Sequence, residues 1–115
     1  MMVVIFEVVP NPGCQERYLE IAADLKSTLS NIEGFISIER FQNMVNPERL
    51  LSLSFWENEA AVQAWRQQIY HREAQTQGRE QLFADYRLRV AEVVRDYGMF
   101  DRAQAPGATD MLRLE

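Results

Sequence analysis

Residues 35–56 read FISIERFQNMVNPERLLSLSFW, and this stretch decides the fold. Apolar and polar side chains alternate through 35–43 and again through 50–56, with Asn46 and Pro47 between the runs. Two segments of period two around a short polar connection predict a pair of antiparallel strands. Upstream, MVVIFEVV at 2–9 is a β-rich apolar run, broken by Asn11, Pro12 and Gly13. From Cys14 to Ser30 the period becomes helical: Tyr18, Ala22, Leu25 and Leu29 share one face, and Glu33 with Gly34 closes the unit.

Downstream of the pair, Asn58 offers a helix cap and Glu59 an acidic first turn. Ala61, Val62, Trp65 and Ile69 form an apolar helix face. Helical composition continues through residues 70–84, with Ala74, Gly78 and Leu82 in register and a kink or short break expected near Ile69–His71. YRLRVAEVVRDY at 86–97 gives a last alternating strand. The order βαββαβ, without repeat or linker, predicts an α+β, ferredoxin-like fold with two helices on one face of a four-stranded antiparallel sheet. Beyond Gly98 the tail holds Pro106 and Gly107 and has no period, so it is expected to wrap over the body or a neighbour, or to be partly disordered.

Composition removes several classes of function. The chain has 115 residues, one Cys, one His and a net charge of −5. Cys14 alone excludes an internal disulfide, and His71 alone excludes a metal site built on two or three His of one chain. The acidic balance argues against nucleic acid as a partner. No run approaches the ~20 apolar residues of a membrane span, and the N-terminus lacks a basic leader, so a cytoplasmic location is expected. Eleven Arg stand against the single Lys26, a bias that suits fixed ion pairs.

Alternation assigns the sheet residues to two faces. One face, expected beneath the helices, carries Val4, Phe6, Ile36, Ile38, Leu51, Leu53, Phe55, Leu88 and Val90. The other mixes Ile5, Phe41, Trp56, Ala91 and Val93 with Glu7, Ser37, Glu39, Ser52, Ser54, Arg87 and Arg89. A mixed face with that much apolar surface predicts a homodimer joined sheet to sheet. Glu39 and Arg89 are an expected ion pair in or near the seam. Glu92 falls on the apolar face in this register, which requires either a bulge or a place beyond the helix cover.

The βαββαβ order, the pair FISIERF…LSLSFW, the helix ENEAAVQAW and the run HREAQTQGRE…FADYRLRVAEVVRDY together resemble the antibiotic biosynthesis monooxygenase family. The likeness spans residues 2–97, which sets an expected domain at 1–97 and a separate tail at 98–115. It implies a dimeric α+β barrel. It also implies, for some members, oxidation of small aromatic or quinol-type molecules by O2 without metal or organic cofactor. Other members degrade haem, and many have no known activity.

Cofactor-free oxygenation needs a substrate that can be deprotonated and a dry, mostly aromatic enclosure. The resemblance places Trp65 at the pocket-lining tryptophan. Trp65 and Trp56 would then pack the substrate ring, His71 or Tyr70 would handle a proton, and Arg72 would stabilise an oxyanion. Each has a structural reading beside it: Trp65 and Trp56 as core or seam, His71 as a backbone partner, Tyr70 and Arg72 as packing and surface. The class that competes with an enzyme is a non-catalytic dimeric module that binds a small ligand or serves as a structural partner. Haem is disfavoured, because Gln75 stands where haem-degrading relatives carry an axial His, and the first strand lacks their Asn. Cys14 at a helix start reads as a bystander, and HRE at 71–73 has no second cysteine motif with which to bind zinc.

Overall fold

A computed structural model describes residues 1–75 and 82–107, with the side chains of 69–75 outside the description. Six elements follow in order: β1 (Met2–Pro10), α1 (Gln15–Ser30), β2 (Phe35–Gln42), β3 (Leu50–Trp56), α2 (Glu59–Gln75) and β4 (Phe83–Glu92). The strands form one antiparallel sheet in the order β2-β3-β1-β4, as a ferredoxin-like fold requires.

Local chemistry explains the boundaries. Gly13 turns the chain with φ +82°, a conformation that costs other residues a Cβ clash. Asn58 caps α2, its Oδ1 accepting the Ala61 N–H at 2.9 Å. In the β2–β3 connection Asn43 Oδ1 accepts the N–H groups of Val45 and Asn46, which tightens the turn. The second half of the chain differs from expectation in its boundaries. The backbone of α2 is helical through 69–71 without a break, and β4 begins at Phe83 and ends at Glu92; the expected helical continuation past Gln75, with Gly78 in register, lies outside the described residues.

The pairing registers group the helix-facing side chains into four rungs across β2, β3, β1 and β4. These are Phe35–Trp56–Met2–Glu92, Ile38–Ser54–Val4–Val90, Arg40–Ser52–Phe6–Leu88 and Gln42–Leu50–Val8–Tyr86. The outer rungs are Ser37–Phe55–Val3–Ala91, Glu39–Leu53–Ile5–Arg89 and Phe41–Leu51–Glu7–Arg87.

This register overturns the expected phase of β3. Ser52, Ser54 and Trp56 lie beneath the helices and are buried, while Leu51, Leu53 and Phe55 face outward. The more apolar half of LLSLSFW looks like the core half only if one face of the sheet is apolar, and here both are. Steric need settles the phase: small serines leave room for the Trp56 indole, which is 0% exposed beneath Ala61 and Val62 of α2. Ile36 is also displaced, because a bulge between Phe35 and Ser37 turns it outward to 47% exposure and brings Phe35 onto Trp56. Glu92 keeps the helix-facing phase but is exposed at the end of the rung, beyond the cover.

Within one chain the expected Glu39–Arg89 pair does not form. The two share a rung but stand at opposite edges with Leu53 and Ile5 between them, roughly 14 Å apart by strand spacing. Arg89 instead donates to Glu7 at 3.1 Å, an exposed contact worth ~0–1 kcal/mol.

Gly34 joins α1 to β2 where α2 comes closest. Its carbonyl accepts the Glu57 N–H at 2.8 Å, its φ is +90°, and a Cβ placed there would stand 2.7 Å from the Ala61 Cβ. Gly34→Ala should therefore cost about 2–4 kcal/mol, from left-handed backbone strain plus overpacking. Gly13→Ala has open space around it and should cost only about 1–2 kcal/mol. Urea unfolding of the two variants beside wild type reads the difference.

Candidate functional site

The helix-facing side of the sheet carries two aromatic groups at its two ends. At the first rung Phe35 meets Trp56 edge to face with centroids 5.2 Å apart, and Trp65 of α2 lies over Trp56 at 5.6 Å and 39°. Trp56 is wholly buried and Trp65 half-buried, so one indole backs the other. The buried Trp56 Nε1 donates to Ser54 Oγ at 2.9 Å, which satisfies the donor without bringing water into the core. The serine that makes room for the indole is therefore also its partner.

The second group lies toward the fourth rung. Tyr18 of α1 meets Phe83 at 5.8 Å, Phe83 meets Phe6 at 6.0 Å, and Tyr86 joins both phenylalanines. The helical spacing of Tyr18 with Ala22 and Leu29 placed it in the core correctly. Its neighbour Arg40 was not anticipated. Arg40 belongs to the helix-facing phase of β2, opposite Ser52, and its guanidinium is hydrogen-bonded to the Tyr18 hydroxyl. Its Nε is buried and has no partner among the described residues. The signal was present in the sequence: Arg40 follows Ile38 by two, so the apolar phase of β2 carries a cation.

Between the two groups, Ser52 and Ser54 form a floor of small side chains, flanked by Ile38, Val4 and Phe6. The buried core is correspondingly split. Val4, Leu29, Trp56, Ala61 and Val62 form one cluster, and Val8, Tyr18 and Leu50 form the other.

Of the expected site residues, the structure brings Trp56 and Trp65 together. Tyr70, His71 and Arg72 follow on the backbone of α2, but their side chains lie outside the described residues. Among the described residues no group of three His, Cys, Asp or Glu side chains is placed to hold a metal ion. A shallow polar recess lined by Glu7, Arg49, Asp85 and Arg87 lies toward the outer face, away from both tryptophans. No described helix is long and apolar enough to cross a membrane.

The profile of the antibiotic biosynthesis monooxygenase family matches residues 1–77. The chain belongs to that family. It is 43% identical over 93 residues to a protein of Pyricularia oryzae named jasmonate monooxygenase ABM, covering 81% of this chain but only 43% of that protein. It is 30% identical over 92 residues to the uncharacterized protein YqjZ of Bacillus subtilis, covering 80% of this chain and 78% of that one. The fold superposes on the haem degrader MhuD of Mycobacterium tuberculosis with a TM-score of 0.66, 21% identity and coverage of 85% of this chain and 100% of MhuD. At that identity the likeness concerns the fold alone.

Burial pushes the Tyr18 hydroxyl above its ordinary pKa, and the charge and hydrogen bond of Arg40 pull partly against that rise. A raised folded-state value means that the folded chain holds this proton more tightly than the unfolded chain does. The resulting stability is complete below the unfolded value of about 10 and is lost as pH climbs through the folded value. Tyr18→Phe should therefore flatten the alkaline fall in stability, measured as urea midpoints from about pH 8 to about pH 11. Its lost bond to Arg40 should shift the whole curve without restoring the slope.

Proposed function

We propose that this protein is a cofactor-independent monooxygenase acting on a small aromatic, quinol-type substrate, working as a homodimer. The observation that carries the reading is Trp65, half-buried on α2 and backed by the wholly buried Trp56, in a chain that belongs to a monooxygenase family. A supported indole offers a flat, apolar wall for an aromatic ring.

The chemistry then rests on the substrate. An activated CH2 loses a proton to a base, and the carbanion passes electrons to O2. One oxygen atom ends as the new carbonyl and the other leaves as water with the two displaced hydrogens. His71 or Tyr70 takes the proton and Arg72 steadies the anion, all three lying on α2 within seven residues of Trp65. Trp56 acts from beneath by fixing Trp65.

Oxygen uptake with 1,8-dihydroxyanthrone tests this reading. Turnover should proceed without added metal, flavin or haem. His71→Ala should lower kcat by about 100-fold or more if His71 is the base, and Trp65→Ala should raise KM. The name of the Pyricularia oryzae relative makes jasmonate a second trial substrate. It requires an added reductant, because an unactivated C–H bond supplies O2 with no electrons. A silent uptake assay with saturable binding of the same compounds would instead support the ligand-binding module, and a Soret band on haem titration the haem reading.

The dimer is supported by the outer face. Val3, Ile5, Leu51, Leu53 and Phe55 form a contiguous apolar patch in its centre, more apolar than the alternation had predicted. Leu53→Asp should convert a dimer to monomers in sedimentation velocity, because it places a charge at the middle of the seam. A monomeric wild-type chain would overturn the dimer reading.

A further inference from the structure

Charge is divided unevenly between the two edges of the outer face. β2 carries Glu39 at one edge and β4 carries Arg87 and Arg89 at the other, all three exposed. The apolar side chains of β3 and β1 lie between them. Arg89 reaches Glu7 on the neighbouring strand, whereas Glu39 has no ion-pair partner among the described residues. The face therefore has one acidic edge and one basic edge, about 14 Å apart.

Exposed apolar groups also stand at both edges. On β2 these are Ile36 and Phe41. Beyond β4 the chain folds back on itself: the Gly98 N–H donates to the Asp101 carbonyl at 2.8 Å, the Asp96 N–H donates to Gln104 Oε1 at 2.8 Å, and the Arg102 guanidinium lies over the Tyr97 ring. This hook presents Met99 to solvent together with Phe100, which is 93% exposed. It leaves the sheet at the rung of Glu92, whose member on β2 is Phe35, next to Ile36.

Two copies of one sheet, packed face to face and nearly aligned, are related by a two-fold axis that runs either across the strands or along them. An axis across the strands sets each edge over the same edge of the other copy, so Glu39 meets Glu39 and Arg89 meets Arg89. An axis along the strands exchanges the edges. Each Glu39 then faces the partner's Arg89, and each tail hook leaves β4 beside the partner's Ile36. Like charges brought together oppose association, and opposite charges steer it and fix its register. We propose that two copies dock through their outer faces with the two-fold axis along the strands, the acidic β2 edge and Ile36 of each receiving the basic β4 edge and the tail hook of the other. The Glu39–Arg89 pair then forms between chains, twice in each dimer. The inference rests on the dimer reading above and gives it a geometry.

Cross-linking of full-length chains tests it, in a Cys14→Ser background so that only introduced thiols react. Chains carrying Glu39→Cys and chains carrying Arg89→Cys are treated with a short bis-maleimide, separately and after mixing to exchange subunits. Covalent dimer should form in the mixture and in neither chain alone. Charge reversal gives an independent readout by sedimentation equilibrium. Glu39→Arg should raise the dimer dissociation constant by about 5- to 30-fold, because two contacts turn repulsive at once. Adding Arg89→Glu should recover most of that loss. The Glu7 contact is lost in Arg89→Glu with or without the second change, so it cancels from the double-mutant cycle. Phe100→Ser should raise the constant about 10-fold or more, as loss of an aromatic anchor does. Cross-linking of either chain alone, none in the mixture, or Glu39→Arg dimerising as tightly as wild type would overturn the proposal and leave a dimer of other geometry. An unchanged constant in Phe100→Ser would overturn the docking of the tail. A monomeric wild-type chain defeats this inference and the dimer reading together.

Discussion

Every side chain of the sheet takes its face from the hydrogen-bond register of β1 with its two neighbours. β1 is central, pairing with β3 on one side and β4 on the other, so its phase is transmitted across the sheet. A slip of one residue in either ladder would exchange the two faces of the neighbouring strand. Opposite Val4 and Phe6 the register sets Ser54 and Ser52 rather than Leu53 and Leu51. That choice places two buried serines beneath the helices and two leucines outside, an arrangement a burial-maximising monomer would reject. It is tolerated because Trp56 fills the space, with Ser54 as the partner of its N–H.

The same register organises the candidate site. The aromatic pair and the Arg40–Tyr18 pair belong to rungs at different distances along one face, separated by small residues. Enclosing the Arg40 Nε without a partner carries a desolvation cost, while the residue as a whole is only half-buried. On the outer face there is a surplus of apolar side chains. In the sheet-to-sheet dimer proposed above, Leu51, Leu53 and Phe55 would be covered.

Much of this was legible in the sequence, for identifiable reasons. The element order and fold follow from periods of two and 3.6, and from Asn58 and Gly34 at the joints. The core helix residues Tyr18, Ala22, Leu29, Ala61 and Val62 followed from spacing alone. The family could be read from local motifs that the profile match then bore out over residues 1–77. The face of β3 could not, because LLSLSFW has apolar groups in both phases and alternation gives no vote between them. Arg40 was overlooked because a charge on an edge strand ordinarily faces water. Glu39 and Arg89 do not pair within one chain for a topological reason: β2 and β4 are the two opposite edges of the sheet.

The amino-acid sequence by itself determined the elements, their order and the family, since each depends on interactions within about a dozen residues or on a pattern that survives along the chain. It also determined that the chain cannot build a disulfide or a multi-histidine metal site from a single Cys and a single His. Tertiary structure alone decided which face each side chain of β3 occupies, that a bulge replaces Ile36 by Phe35 in the core, and that Trp56 and Trp65 meet while Arg40 lies with Tyr18. These depend on register and on helix placement, which are set by shape complementarity between segments far apart in the chain. A single strand cannot carry that information, because its two faces acquire different surroundings only when its neighbours and the helices are in place.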